Sequence, residues 1–138
     1  MIIEVPGVAK PQGSKNAYQR GGRIVLVESS SLLKPWRLTV AKHVAATSRQ
    51  NDFKKLSANE PAVVSIAFYL PRPKSVPENK RYWHTVKPDL DKLTRGILDA
   101  ITLSGTVWVD DSQVVSIHAT KHYTVADKAR TVIGIDRV

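Results

Sequence analysis

Four acidic side chains stand at two punctuation points of this chain. Asp89 and Asp91 lie in Lys87-Pro88-Asp89-Leu90-Asp91-Lys92-Leu93, and Asp110 and Asp111 in Trp108-Val109-Asp110-Asp111-Ser112-Gln113-Val114-Val115. Carboxylates are hard oxygen ligands, and magnesium keeps several of its waters. Two or three carboxylates beside a substrate phosphate therefore suffice to hold it. An ion held in this way can activate a water and stabilise charge on a phosphodiester during in-line displacement. Arg95 follows Asp91 by one helical turn, and its guanidinium suits a scissile phosphate or a leaving group. Each acid also has an ordinary structural reading. Asp at a helix entry is a common cap and dipole partner, and Asp-Asp is a good turn dipeptide. Asp99, four residues after Arg95, suits a plain helix-surface ion pair. Spacing alone leaves both readings open.

These acids sit in a basic chain. Lys plus Arg number 21 and Asp plus Glu 12 in 138 residues, a net charge of +9. Such a balance points to a polyanionic partner. Nucleic acid is favoured over a membrane, because no apolar run approaches the roughly 20 residues needed to span a bilayer and no strongly basic amphipathic helix stands out. The opening Met1-Ile2-Ile3-Glu4-Val5-Pro6 has neither a basic nor a long apolar region, so no signal peptide is expected. Cysteine is absent, which excludes disulfides, Cys zinc sites and thiol nucleophiles, and suits a cytoplasmic setting. The length predicts one domain over residues 1–138, with enough apolar content for a small core.

Elements that could position the acids follow from patterning. Residues 2–8 and 23–27 read as strands, the second introduced by Gly21-Gly22. Ser29, Ser30 and Ser31 offer N-caps for a helix of three to four turns. In it Trp36, Val40, Val44 and Thr47 recur at helical spacing, and Lys34, Arg37 and Lys42 form the outer face. Residues 62–70 read as a buried strand. Residues 71–87 carry Pro71, Pro73 and Pro77, with Arg72, Lys74, Lys80, Arg81 and Lys87 against Glu78, and read as a long basic loop. After Pro88, the residues Leu90, Leu93, Ile97, Leu98 and Ile101 form one apolar helix stripe, stopped at Gly105. Residues 107–109, 113–123 and 131–138 read as strand material. The whole predicts an α+β fold, a small mainly antiparallel or mixed sheet packed by two principal helices.

The DNA-contact candidates are Lys15 at a loop tip, Arg37 on the first helix, and Arg72, Lys74, Lys80, Arg81 and Lys87 in the basic loop. Trp83, between Arg81 and Lys87, suits either an exposed loop position or base stacking, and His84 either loop structure or DNA contact. Trp36 and Trp108 read as core. His118 and His122 lie in a strand, where i,i+4 spacing does not make a zinc site. Gly13-Ser14-Lys15 lacks the upstream glycine and the strand–loop–helix context of a phosphate-binding loop.

The two acidic motifs, with Ile97-Leu98-Asp99-Ala100-Ile101-Thr102 between them, resemble the core of the RusA family of Holliday junction resolvases, in the same order and spacing. Pro11-Gln12-Gly13-Ser14-Lys15, Val27-Glu28 and Lys34-Pro35-Trp36-Arg37 are also similar to phage members. The resemblance implies a homodimeric endonuclease that cuts four-way branched DNA by paired nicks during recombination and repair. It implies magnesium, with manganese as a substitute. Its three metal-binding aspartates map onto Asp89, Asp91 and Asp111, with Asp110 in the same motif, and its basic helix residue maps onto Arg95. Two departures stand out. The best-known pattern has Lys where this chain has Arg95, and Arg does not readily give up a proton. The turn before Asp110 is one residue longer, which bears on whether Asp110 or Asp111 faces the metal. The rival readings are a non-catalytic DNA-binding protein and a nuclease for other branched DNA.

Overall fold

The computed structural model describes residues 1–13, 15–20, 23–28, 33–77 and 79–138, the segments 15–20 and 23–28 through their backbone alone. Strand β1 (Ile2–Pro6) is followed by the antiparallel pair β2 (Lys15–Arg20) and β3 (Arg23–Glu28), helix α1 (Leu33–Gln50) and strand β4 (Ala62–Pro71). Helix α2 (Leu90–Ser104), a 3-10 turn (Asp111–Gln113), strand β5 (Val114–Thr124) and strand β6 (Arg130–Arg137) complete the chain. The main sheet has the order β1-β6-β4-β5. β6 runs antiparallel to both β1 and β4, whereas β4 and β5 are parallel. A parallel pair needs a long crossover, and the segment carrying α2 provides it. The sheet is thus mixed and packed by two helices, as the patterning predicts.

The core follows from the two periodicities. Along β4, Ala62, Val64, Ile66, Phe68 and Leu70 alternate onto one buried face, while Ser65 between them is exposed. Ile3 and Val5 of β1 and Ile133 and Ile135 of β6 join that face. α1 lays Trp36, Val40 and Val44 over it, and α2 adds Leu93, Ile97, Ala100 and Ile101. Trp36 and Trp108 are both buried, in line with their reading as core.

Several expectations need correction. α1 runs for 18 residues, about five turns, longer than its apolar repeat suggests. Residues 107–109 form no strand. Val107 and Trp108 plug the core instead, and the Val107 carbonyl accepts a hydrogen bond from the Leu56 amide at 2.8 Å rather than joining a ladder. Strand β2, Lys-Asn-Ala-Tyr-Gln-Arg, has no apolar alternation and is defined by its pairing with β3. The Gly21-Gly22 turn and the N-cap serines Ser29, Ser30 and Ser31 lie outside the described residues.

Candidate active site

Helix α2 carries most of the expected chemistry. Its N-cap residue, Asp89, has extended backbone angles, but its side chain caps nothing. The carboxylate faces Lys87 instead, with Nζ to Oδ1 at 3.0 Å, and Lys92 approaches at 3.9 Å. Hydrogen bonding to Lys87, with the charges of Lys92 and Lys121 behind it, holds the Asp89 carboxyl below the usual range. It is therefore ionised and turned outward, not used as a cap. Lys121 of β5 anchors this entry from the other side, donating to the carbonyls of Val86 at 2.7 Å and Pro88 at 2.9 Å. Sequence reading missed Lys121, because nothing in a strand lysine signals a contact to a loop more than thirty positions away.

Asp91, Arg95 and Asp99 follow at four-residue intervals along one face of α2. Asp91 and Arg95 are exposed. Among the described residues Arg95 makes no ion pair, and Asp99 pairs with Arg37 of α1 at 4.0 Å. The expected Arg95–Asp99 surface pair is thus replaced by one that joins the two helices. It also draws Arg37, a DNA-contact candidate, to the acidic face.

The second acidic motif is positioned by a chain of hydrogen bonds, some local and some long-range in sequence. α2 ends where Gly105 turns into the left-handed region at φ 70°, a conformation glycine adopts without steric cost. The Trp108 indole donates to Thr102 Oγ1 at 2.8 Å and folds the exiting chain back onto the helix. Gln113 then clamps the turn. Its Oε1 accepts from the amides of Val109 (2.8 Å) and Asp110 (3.1 Å), and its Nε2 donates to the carbonyls of Ser57 (2.7 Å) and Glu60 (2.9 Å). Asp110 completes a capping box by accepting from the Ser112 amide at 3.0 Å. Hydrogen bonding to Ser112, side chain and amide, keeps the Asp110 carboxyl low.

Asp111 has no such task. Burial raises its pKa, and the charges of Asp110 and Asp99 raise it further. The two neighbouring aspartates therefore differ: Asp110 builds the turn, and Asp111 is a partly desolvated acid within electrostatic reach of Asp99. Asp110 spends its carboxylate on the Ser112 amide, a bond that Asp111 does not make.

Carboxylate oxygens are the donor chemistry magnesium takes. However, among the described residues no three carboxylate or imidazole side chains converge closely enough to hold one ion. The expected set of Asp89, Asp91 and Asp111 is spread along α2, two at its entry and one near the level of Asp99. The chain alone does not gather all three.

The basic candidates divide by environment. Lys74 and Lys80 are exposed. Lys87 is exposed but faces Asp89. Arg72 is committed internally, donating to the Arg81 carbonyl at 2.5 Å and lying 4.3 Å over the Tyr123 ring. Arg81 reaches the Tyr123 hydroxyl at 3.3 Å. The Lys15 side chain lies outside the described residues. Trp83 is exposed, edge-on to Tyr82 at 5.0 Å. His84 is buried against Tyr123, and burial, with the charges of Lys121 and Arg81, lowers its pKa. His122 stacks on Tyr69, and its Nε2 lies 2.9 Å from Thr120 Oγ1.

Among the described residues, no helix is long and apolar enough to cross a membrane. A curated Bacillus subtilis (strain 168) protein, the uncharacterized protein YqaN, is 32% identical over 82 residues, a match covering 53% of this chain and 56% of that protein. The chain thus spans little more than half the length of this relative. The family model for the endodeoxyribonuclease RusA matches residues 6–136, nearly the whole chain and all of the acidic face just described. The chain belongs to the RusA endodeoxyribonuclease family.

Proposed function

We propose that this protein is a magnesium-dependent endonuclease that resolves four-way DNA junctions by paired symmetric nicks, acting as a homodimer in recombination and repair. The observation that carries this reading is the placement of Asp111. A turn clamped by Gln113 brings a partly desolvated carboxylate to the same helix that presents Asp91 and Arg95. A carboxylate partly desolvated beside two other acids, in a chain of net charge +9, calls for a cation. Magnesium, with manganese as a substitute, would draw on Asp89, Asp91 and Asp111, the acids that α2 and the following turn present. Because no three side chains converge among the described residues, DNA phosphates and water supply the remaining oxygens. Such an ion supplies Lewis-acid stabilisation and an activated water.

The protein residues have separable tasks. Arg95, exposed and without an ion pair among the described residues, places a positive charge where phosphate charge develops. Lys74, Lys80 and Lys87 draw in the DNA arms. Among the described residues the outer edge of β5 has no partner strand, and the strand exposes Val115 and Ile117, which suits pairing with a second copy. The test is Asp111→Asn. The variant should bind a synthetic four-way junction as well as the parent or better, and fail to cut it with magnesium. Full cleavage by the variant would remove Asp111 from the mechanism, and binding without cleavage by the parent would leave a DNA-binding protein.

A further inference from the structure

The loop from β4 to α2 holds two aromatic side chains out to solvent. Tyr82 is 77% exposed and Trp83 62%, whereas Trp36 and Trp108 are buried. Each such ring forgoes the burial of about 150–250 Å². Slackness of the loop does not explain this. The residues on either side of the pair are both fixed to Tyr123 of β5. Arg81 donates to its hydroxyl at 3.3 Å, and His84 packs on its ring at 4.6 Å. Arg72 completes the knot, lying 4.3 Å over the same ring and donating to the Arg81 carbonyl at 2.5 Å. Lys121 ties down the Val86 and Pro88 carbonyls further along. Tyr82 and Trp83 thus project from a fixed base, edge to face with each other at 5.0 Å and 88°. An edge contact leaves at least one face of each ring open.

The surroundings narrow what meets those faces. Lys74, Lys80 and Lys128 are exposed and make no ion pair among the described residues. Tyr82 borders a groove of about 830 Å³, which Lys74, Lys128, Pro73 and Tyr123 also line, with no acid among its described lining residues. Open aromatic faces beside unpaired cations suit a nucleic-acid strand. Every base has a π-face, and the cations take the phosphates. A protein partner fits less well. The two rings together could bury about 300–500 Å², short of the about 800 Å² that each partner gives to a stable interface.

We infer that Tyr82 and Trp83 form a stacking platform for a base exposed at the branch point of the DNA. The inference rests on the reading of the chain as a nuclease for branched DNA, and it names the side chains that tell a junction from a duplex. Inside a linear duplex every base is already stacked, whereas freeing a base costs least where pairing is already broken. Stacking needs no hydrogen-bond code, so the platform accepts a base of any kind. Position agrees with this role. Asp89 follows Trp83 by six positions, so their Cα atoms lie within about 22 Å of each other. A base seated on the platform keeps the branch point near the acids of α2.

The experiment titrates the protein with a four-way junction and with a linear duplex of matched sequence, without divalent metal, and follows tryptophan fluorescence. Of the three tryptophans only Trp83 is exposed, so the long-wavelength emission is its own. The junction should quench that emission, and the duplex should quench it far less. Tyr82→Ala/Trp83→Ala should melt as the parent does and bind the duplex unchanged. It should bind the junction about tenfold more weakly, the scale of one lost base–aromatic stack. Trp83→Phe alone should keep most of the junction affinity and Trp83→Leu should lose it, because an aliphatic side chain has no face to stack on. Equal junction affinity of parent and double variant overturns the inference. So does an equal loss on junction and duplex, and so does equal binding by the Phe and Leu variants. A changed elution volume of the double variant assigns the pair to an interface between copies and overturns it too. Each of these outcomes leaves the nuclease reading standing when the parent cuts the junction with magnesium. A parent that binds no junction refutes both.

Discussion

At the residue scale, two adjacent aspartates in one turn have opposite characters, and pH separates them. The Asp111 pKa is raised by burial and by Asp110 and Asp99. Its carboxyl therefore holds its proton more tightly in the folded chain than in the unfolded one. Its contribution to stability is fully present below the ordinary carboxylate range and is lost as pH rises through its raised folded value. Asp111→Asn should thus raise the melting temperature at pH 7, in the absence of divalent metal, and the gain should shrink at lower pH, where the parent carboxyl is already protonated. Asp110→Asn should lower it at pH 7, because the Asp110 carboxylate closes a capping box. Thermal melts of both variants across pH check the pair, and equal behaviour would erase the distinction. Arg95 is a second residue-scale case. If it acts as a charge on the reacting phosphate, Arg95→Ala should slow single-turnover cleavage by about 2–4 kcal/mol of barrier. Arg95→Lys should keep most activity, since it preserves the charge. Near-equal rates for parent and Arg95→Ala would return Arg95 to the helix surface.

At the element scale, the site depends on a glutamine that the sequence does not advertise. Gln113 satisfies four backbone groups, two in its own turn and two in the segment before β4, and is buried. Gln113→Ala would leave several of those groups unpaired in a buried place, at a cost of about 2–4 kcal/mol. Chemical denaturation checks the cost, and cleavage should fall along with stability because the same clamp places Asp111. Helix α2 was legible in advance, since its apolar stripe and Gly105 stop are local signals. The spacing of Asp91, Arg95 and Asp99 was equally local. The approach of Asp111 to Asp99 was not, because it depends on the hydrogen bonds from Gln113 to Ser57 and Glu60, more than fifty positions away. The pairing of Asp99 with Arg37 was hidden for the same reason, since it joins two helices. Strand β2 and the irregular path of residues 107–109 misled periodicity in opposite directions. One is a polar segment held by a ladder, and the other is a β-branched and aromatic run used as a core plug.

At the scale of the whole molecule, charge and carboxylates work against each other. The net charge of +9 sets up a long-range attraction for phosphate, while the acids of α2 and the 3-10 turn mark a face where that attraction is locally reversed. Binding should therefore weaken steeply with salt. Lys74→Ala/Lys80→Ala, both at exposed loop positions, should lower the log–log slope by about 0.9 for each phosphate that is no longer neutralised. Affinities titrated against sodium chloride give that slope directly, and an unchanged slope would take the loop off the DNA. The central claim is that this face cuts branched DNA with the help of a divalent ion. It is tested most directly by incubating the protein with an end-labelled four-way junction and with a linear duplex of matched sequence, each with magnesium and with chelator, and resolving the products on a denaturing gel. The account predicts paired nicks at symmetric positions in the junction with magnesium, no cutting with chelator, and little or none in the duplex. Equal cutting of junction and duplex, or a bound junction left intact with magnesium, would contradict it.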